Sequence, residues 1–459
     1  MRNDVSPERS PMEEITLDKL LYRLLCGKRG RFRFSPGPVL WDEVKIPNPV
    51  SVYVHIPFCR SLCPFCPYTK TTYEAGLAAG YSHALEVEAR RVLANLDGKR
   101  IFSVYFGGGT PLTLLESVES VLGLLREYFT PSAEVAVEVH PHDVSPAIIE
   151  RLAKAGVNMV SLGVESLDND VLGGMARNHS AEDALLALRT LVDFGRFSVN
   201  VDLMTGIPGQ DPESAVSDML TLMEEGVDQV AAYPLMDFSF TRMKTNLSWM
   251  GQYRLLRDMA SAAKDAGYLR TSVWTWTKPG SPKYSSITRE DYLGIGAGAA
   301  THLGRHFWVN TFDVGAYVER MNGAHPRNCG GGTAAVGNSL AVSEAAATVA
   351  EFPESANVSP VALGIRMDDR QSALYRLFWR CYEGEFDLDS PEALAVPVLR
   401  RLARLAEVLG LAVRSSSTVT LTERGFFLYH FLERYYTRRY IGTLWRHCRE
   451  SAFPQEILL

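Results

Sequence analysis

From residue 50 onward the chain alternates short β-rich runs with longer amphipathic runs, and this alternation restricts it to one class of architecture. The β-rich runs fall at 50–55, 101–106, 134–139, 157–164, 197–203, 228–234 and 270–275. Helical stretches lie near 79–97, 112–128, 145–155, 181–195, 211–225 and 249–267, each closing near a glycine or the start of the next strand. Right-handed crossovers wind repeated βα units around a parallel sheet, open or closed into a barrel. The expected fold class is therefore α/β, a partial (βα)6-type TIM-like barrel over residues 50–322. In such a fold the functional side chains gather at the C-terminal ends of the strands.

The remainder of the chain divides around that barrel. Residues 1–49 read as an N-terminal extension. Residues 323–358 hold Gly330-Gly331-Gly332-Thr333 and many Ala and Ser, the texture of a linker or surface excursion. Residues 360–459 follow as a smaller, mainly helical domain. Helical patterns at 370–383 and 395–410 precede Leu411-Ala412-Val413-Arg414, a Ser415-Ser416-Ser417 turn, Val419-Thr420-Leu421 and a helix over 422–435. Helices followed by a hairpin have a winged-helix layout, expected here as a lid over the barrel.

Charge and hydropathy exclude several classes of function. A net charge of −6 and a pI near 6.0 argue against a general nucleic-acid binder. The basic run Lys28-Arg29-Gly30-Arg31-Phe32-Arg33-Phe34 reads as a solvated edge, with recognition of an anionic substrate or of RNA as its functional alternative. No apolar run reaches the ~18 residues needed to span a bilayer. The first 20 residues lack the apolar segment of a secretory signal, so the expected location is the cytoplasm.

In that reducing compartment the cysteines become informative. Of seven, Cys59, Cys63 and Cys66 fall within eight residues, while Cys26, Cys329, Cys381 and Cys448 are scattered singly. A structural zinc site commonly uses two Cys-x2-Cys pairs, and there is no second pair. The asymmetric Cys-x3-Cys-x2-Cys spacing suits three irons of a four-iron, four-sulfur cluster, leaving one iron without a protein ligand. The other motifs fall at the ends of successive β-rich runs: Gly107-Gly108-Gly109-Thr110-Pro111, Glu138, Glu165, Asp202 and Tyr233.

The run His55-Ile56-Pro57-Phe58-Cys59 with the two following cysteines, and Phe106-Gly107-Gly108-Gly109-Thr110-Pro111, resemble the signature of radical SAM enzymes. The subgroup they resemble is that of oxygen-independent coproporphyrinogen III oxidase. Specific motifs cover roughly residues 50–320. The resemblance implies that a 4Fe-4S cluster on Cys59, Cys63 and Cys66 holds S-adenosylmethionine (SAM) through its amino and carboxylate groups, and that one electron cleaves it to a 5′-deoxyadenosyl radical. It further implies cofactor contacts at Tyr53, Phe65, Gly108, Gly109, Thr110, Glu138, Glu165, Arg177 and Asp202. Arg177 is suited to a carboxylate. Glu165 stands where such enzymes usually carry glutamine. In the relatives the segment Gly294-Ile295-Gly296-Ala297-Gly298-Ala299-Ala300-Thr301 lies near a second SAM, which adds Ala300. His140 and His142 are read as structural or as supports behind the site residues, and His179 as a cap on the following helix.

Enzymes of this kind divide by reaction, and two departures bear on the choice. The coproporphyrinogen oxidases have a fourth cysteine where this chain has Tyr68. The haem-delivery relatives follow a Lys-Pro-Gly turn with a His-Asn-x-x-Tyr-Trp segment, whereas Lys278-Pro279-Gly280 is followed here by Ser281-Pro282-Lys283-Tyr284-Ser285-Ser286. The favoured expectation is methyl or methylene transfer from a second SAM to an sp2 carbon of a natural product, by C-methylation or cyclopropanation. Porphyrinogen oxidation is the alternative and haem delivery the third. The expected partners are a small-molecule substrate, an electron donor such as flavodoxin or ferredoxin, and a companion methyltransferase.

Overall fold

The computed structural model describes residues 32–37, 41–245, 247–283, 291–323 and 359–459. Most of the N-terminal extension, most of the basic run, Cys26, Cys329, Tyr284-Ser285-Ser286 and nearly all of the 323–358 excursion lie outside the described residues.

Six parallel strands form the heart of the fold: β1 (Val50–Ile56), β2 (Ile101–Gly108), β3 (Phe129–Val139), β4 (Met159–Glu165), β5 (Ser198–Thr205) and β6 (Gln229–Pro234). Between or after them run α1 (Ala75–Ala94), α2 (Leu115–Leu125), α3 (Pro146–Ala155), α4 (Ala181–Phe194), α5 (Pro212–Glu224) and α6 (Trp249–Asp265). The strands are rich in valine and buried on both faces, as parallel strands under a helical layer must be; β1 has six of its seven residues buried. Local signals set the helix ends. Ser180 and Asp183 close a capping box at the start of α4, and left-handed Gly195 ends it.

The expected seventh β run, 270–275, is instead two short antiparallel strands, β7 (Leu269–Ser272) and β8 (Thr275–Thr277). Buried Val273 and Trp274 make the turn between them: Val273 N–H donates to Tyr382 O, and Trp274 O accepts from Ala232 N–H. An apolar pair inside a turn has the same composition as a strand interior, so alternation alone cannot separate the two readings.

The far side of the sheet departs further from expectation. Beyond β1 lie β9 (Tyr292–Ile295), parallel to it, then antiparallel β10 (Ala300–Leu303), β11 (His306–Asn310) and β12 (Val361–Arg366). The sheet is open and twelve-stranded, in the order β7-β8-β6-β5-β4-β3-β2-β1-β9-β10-β11-β12. Thus 361–366, within the stretch expected to form the C-terminal domain, completes the large sheet. The glycine-rich 294–301 segment is the β9–β10 turn. A helix, α7 (Val314–Met321), packs on α1.

The β9–β10 turn is held by a buried carboxylate. Glu88 on α1, 6% exposed, accepts from Gly296 N (2.7 Å) and Tyr317 Oη (2.6 Å) through one oxygen and from Asn310 Nδ2 (2.8 Å) through the other. Burial pushes its pKa up, while those three hydrogen bonds oppose the shift. Gly296 has φ 106, and a Cβ there would stand 2.5 Å from His55 O.

The C-terminal part follows the expected order. Helix α8 (Asp369–Glu383), a short strand β13 (Glu385–Asp387), helix α9 (Val398–Val408) and the hairpin of β14 (Ala412–Ser415) and β15 (Thr418–Leu421) form a small unit with its own core around Leu377, Phe386, Leu388 and Val419. Then α10 (Glu423–Tyr436) and α11 (Gly442–Glu450) return across the barrel mouth. Among the described residues no helix is long and apolar enough to cross a membrane.

Glu88→Ala is expected to leave three buried donors unpaired and to cost about 3 kcal/mol or more, given roughly 1–3 kcal/mol per orphaned group. Glu88→Gln, which keeps one carbonyl oxygen, should cost less. Urea unfolding of the metal-free protein reads both.

Candidate functional site

The cysteine loop begins where β1 ends, and its backbone is fixed carbonyl by carbonyl. His55 O accepts from Tyr81 Oη (2.7 Å), Ile56 O from Gly109 N (2.8 Å), Pro57 O from Thr71 N (2.7 Å), Phe58 O from Thr110 N (2.8 Å) and Cys59 O from Tyr73 N (2.9 Å). The glycine segment after β2 therefore lies directly along the start of the loop. A Cβ on Gly109 would sit 2.7 Å from Phe58 O and 2.9 Å from Cys59 Sγ, so only glycine permits this approach. His55 closes the loop from the other side: its Nε2 lies 2.9 Å from Thr69 O and its Nδ1 2.8 Å from Tyr53 Oη. As Thr69 O only accepts, Nε2 carries the proton, and burial lowers the pKa of the ring to about 4. Sequence reasoning gave His55 no role beyond its place in the motif.

Cys59 is buried; Cys63 and Cys66 are partly exposed, and all three are free thiols. Burial, with the neighbouring Cys66, pushes the Cys59 thiol up to about 11, and burial also raises Cys66. The Cys59 and Cys66 thiols thus resist ionisation unless cationic metal meets them. The sulfurs do not converge on one point: among the described residues no three His, Cys, Asp or Glu side chains are placed to hold a single metal ion. A polynuclear cluster takes each thiolate on a separate iron, so this donor set fits one. Phe65, expected against the cofactor, is 8% exposed and packs with Val171, Met175, Ile207 and Leu235, pinning the loop between Cys63 and Cys66.

Four of the expected polar residues meet on the same rim. Glu138 accepts from Tyr105 Oη (2.7 Å) and Gly108 N (3.1 Å). Asp202 accepts from Ser161 Oγ (2.6 Å) and Asn200 Nδ2 (3.0 Å). Arg177 donates to Gly163 O (2.7 Å), lies 3.7 Å from Glu165 Oε1 and reaches Cys63 Sγ at 3.8 Å. Its buried Nε has no hydrogen-bond partner among the described residues, an orphan donor beside the cysteine loop that an anionic ligand would satisfy. Burial raises Glu138 to about 7 against the pull of Tyr105 and Gly108. It raises Asp202 to about 7 as well, with Glu165 and Glu138 adding to the shift. Glu165 is also raised by burial, against Arg177. Three carboxyls close enough to act on one another, with Arg177 beside Glu165, are a ready set of acceptors for amine and hydroxyl groups.

Tyr53 lies inside the barrel against Tyr105, ring centroids 5.9 Å apart. Ala300 opens β10 and packs toward Phe34, Val309 and Leu444; the parts of the 294–301 segment that pass the cysteine loop are Gly296, beside His55 O, and Gly298, beside Thr69. His179 does not cap α4, which Ser180 does; it bonds Val164 O instead.

The C-terminal helix brings residues to the loop that spacing could not foretell. Arg449 donates to Pro67 O, and Trp445 lies 5.9 Å from Tyr68, ring to ring. Trp445 also lies 5.8 Å from Phe238 and 6.3 Å from Phe312, and the Arg449 guanidinium sits 4.8 Å over Phe240. Tyr68 is 54% exposed, yet burial raises its hydroxyl pKa, with Glu138, Cys66 and Asp202 contributing. Its ring stands beside Trp445 at the end of the cysteine loop.

An open parallel barrel with a three-cysteine loop and a glycine segment at its strand ends defines a class that generates radicals from SAM, and comparisons with known proteins agree. A family model described as the radical SAM superfamily matches residues 53–222. The haem chaperone HemW of Mycobacterium tuberculosis is 31% identical over 60% of this chain and 75% of its own length. The oxygen-independent coproporphyrinogen III oxidase of Bradyrhizobium diazoefficiens is 28% identical over 59% of this chain and 66% of its own. The solved structure of coproporphyrinogen III oxidase (HemN) from Escherichia coli superposes with a TM-score of 0.68 at 20% identity, covering 86% of this chain and 92% of that one. The chain belongs to the radical SAM superfamily, in its HemN/HemW-like, coproporphyrinogen III oxidase-like family.

A pH dependence follows from the carboxyls. Glu138 and Asp202 rise from ordinary values of 4.5 and 3.8 to about 7 in the folded protein, which thus holds these protons more tightly than the unfolded chain. Their contribution to stability is full below about pH 4 and is lost as pH rises through about 7. The urea midpoint of the metal-free protein should fall across that window, and Glu138→Gln with Asp202→Asn should flatten the fall.

Proposed function

We propose that this chain holds SAM against a 4Fe-4S cluster on Cys59, Cys63 and Cys66, and oxidises a carboxylate-bearing tetrapyrrole of the porphyrinogen type in the cleft beside them. The observation that carries this reading is the aromatic face of Tyr68, Phe240 and Trp445, backed by buried Phe238 and Phe312 and topped by Arg449, beside the cysteine loop. A broad ring system can stack on such a wall, and a guanidinium suits its propionate groups. The names of the relatives support it, since haem and coproporphyrinogen III are both tetrapyrroles.

The cluster, when bound with SAM, supplies a one-electron reductive cleavage that yields a 5′-deoxyadenosyl radical. The chain's own residues do the positioning. Arg177 Nε, otherwise without a partner, donates to a carboxylate of the cofactor. Asp202, held by Ser161 and Asn200, and Glu138, held by Tyr105, accept from ribose hydroxyls and the amine. Backbone at Gly108, Gly109 and Thr110 lies close enough to flank the methionine end. The C-terminal helix covers one side of the loop through Trp445 and Arg449. A small donor such as flavodoxin or ferredoxin delivers the electron.

One observation favours a second reading. Tyr68 stands where the coproporphyrinogen oxidases have a further cysteine, and this departure is the basis for methyl or methylene transfer from a second SAM. The relatives described above bear no such name, so porphyrinogen oxidation has the broader support. Haem delivery is weakened by Ser281, Pro282 and Lys283, which follow the Lys278-Pro279-Gly280 turn where a histidine ligand would be needed.

Anaerobic turnover with methyl-deuterated SAM separates the readings. With coproporphyrinogen III, carbon dioxide and deoxyadenosine should form and no deuterium should enter the product. Deuterium transferred to an aromatic precursor, without carbon dioxide release from the porphyrinogen, would sink the proposal in favour of methyl transfer. Stoichiometric haem binding without deoxyadenosine would favour the chaperone. If the aromatic wall holds the substrate, Trp445→Ala should raise KM about threefold to tenfold with a smaller change in kcat, since one aromatic contact contributes roughly 0.5–1.5 kcal/mol.

A further inference from the structure

Beside the cofactor pocket, three histidines cluster without a role in the chemistry above. His140 and His142 follow β3, and His179 precedes α4; their ring centroids lie 5.0 Å (140–179), 5.3 Å (140–142) and 6.4 Å (142–179) apart. Next to them the end of β4 is irregular. The pairing of β4 with β5 shifts register between Gly163 and Glu165, and Glu165 takes φ 68, a left-handed value that side-chain-bearing residues rarely adopt. Ser166 N–H donates back to Val164 O at 2.9 Å, closing a tight three-residue turn around Glu165. A γ-turn with positive φ at its centre is the rare, strained form.

That same carbonyl receives a second hydrogen bond. His179 Nε2 lies 3.0 Å from Val164 O, and because a carbonyl only accepts, Nε2 carries the proton. The Nδ1 of a neutral His179 is then an acceptor, and His140 Nε2 faces it at 3.4 Å. His140 Nδ1 in turn accepts from His142 N–H at 3.2 Å. Every link points the same way, from the His142 amide through two imidazoles to the carbonyl of the strained turn. The facing ring nitrogens are occupied with one another, so they are not free to converge on a metal.

We infer that His140 and His179 are positioning residues: two neutral imidazoles of fixed Nε2–H tautomer that lock the strained Val164–Ser166 turn and so set Glu165 and Arg177 for the SAM pocket. The geometry requires both rings neutral, since a second proton on either would set two N–H groups against each other. Burial acts in the same direction, lowering His140 to about 2 and His179 to about 4. Arg177 and the neighbouring His142 add to it on both rings, Arg60 on His140, and Asp183 opposes it on His179. Arg177, two residues before His179, is carried on the same short segment, whose preceding residue Ala176 is also left-handed at φ 56. Releasing His179 therefore loosens both partners of the Glu165–Arg177 pair together.

Two measurements on the cluster-loaded protein test this, and neither needs a substrate, so they stand apart from the identity of the reaction. Long-range 1H–15N spectra of histidine-labelled wild type in the oxidised, EPR-silent state should show His140 and His179 as neutral Nε2–H tautomers at neutral pH. SAM affinity should weaken by about tenfold in His179→Leu, the scale of effect that strain of this kind stores, at unchanged iron content. His179→Gln, whose amide N–H can stand where Nε2–H does, should restore most of that loss. An Nδ1–H or doubly protonated ring in the wild type overturns the inference. So does a His179→Leu variant that binds SAM as well as the wild type, or a His179→Gln variant no better than His179→Leu. Should His179→Leu not fold, the wild-type spectrum and His179→Gln decide it.

Discussion

The site depends on the backbone of His55 to Cys59. Each of its five carbonyls is taken by a different partner: Tyr81 from α1, Gly109 and Thr110 from the segment after β2, and Thr71 and Tyr73 from beyond the third cysteine. Thr71 and Tyr73 donate within a two-residue parallel ladder between Phe58–Cys59 and Thr71–Thr72, and the other donors complete a set of backbone pairings that would be costly to leave unmade. They also explain why the glycine segment and the cysteine loop are inseparable, since the hydrogen bonds to Ile56 and Phe58 require a backbone approach that any side chain at Gly109 would block.

Beside that loop the barrel gathers three carboxyls. Glu138 and Asp202 are held by neutral donors, Arg177 pairs with Glu165, and burial raises the pKa of all three. Such an arrangement gives up stability in the empty protein to keep acceptors ready for a ligand bearing amine and hydroxyl groups. The wall on the other side is aromatic and carries the cation Arg449. The two sides of the cysteine loop thus present different chemistry, one of buried carboxyls and the other of aromatic rings with a cation.

Where strand alternation was followed by an amphipathic helix, the reading of the chain was sound, because a parallel strand needs a long crossover and the helix supplies its signature. It failed where no helix intervened. Residues 269–277 and 292–310 form hairpins through short turns, and of the glycines whose small size admits either a packed helix or a ligand, Gly294 and Gly296 let β9, β10 and α1 close upon one another. Phe65, expected against the cofactor, also anchors the loop into an apolar pocket, a role its place in the motif did not announce. His179, expected as a helix cap, serves a carbonyl fifteen residues upstream, while the neighbouring Ser180 caps.

By itself the sequence determined the class of fold and which residues stand at the strand ends, because periodicity and short-range spacing record how one turn of chain is built. Tertiary structure alone decided what faces what. Trp445 and Arg449 meet Tyr68 and Pro67 across nearly 380 residues, and His140 finds His179 across 39. Contacts of that separation leave no pattern in a single chain, since they arise only when the sheet curls and the C-terminal helix returns over its mouth. The strained turn at Glu165 is of the same kind: a left-handed φ at a glutamate goes against local preference, and only surrounding structure can hold it there.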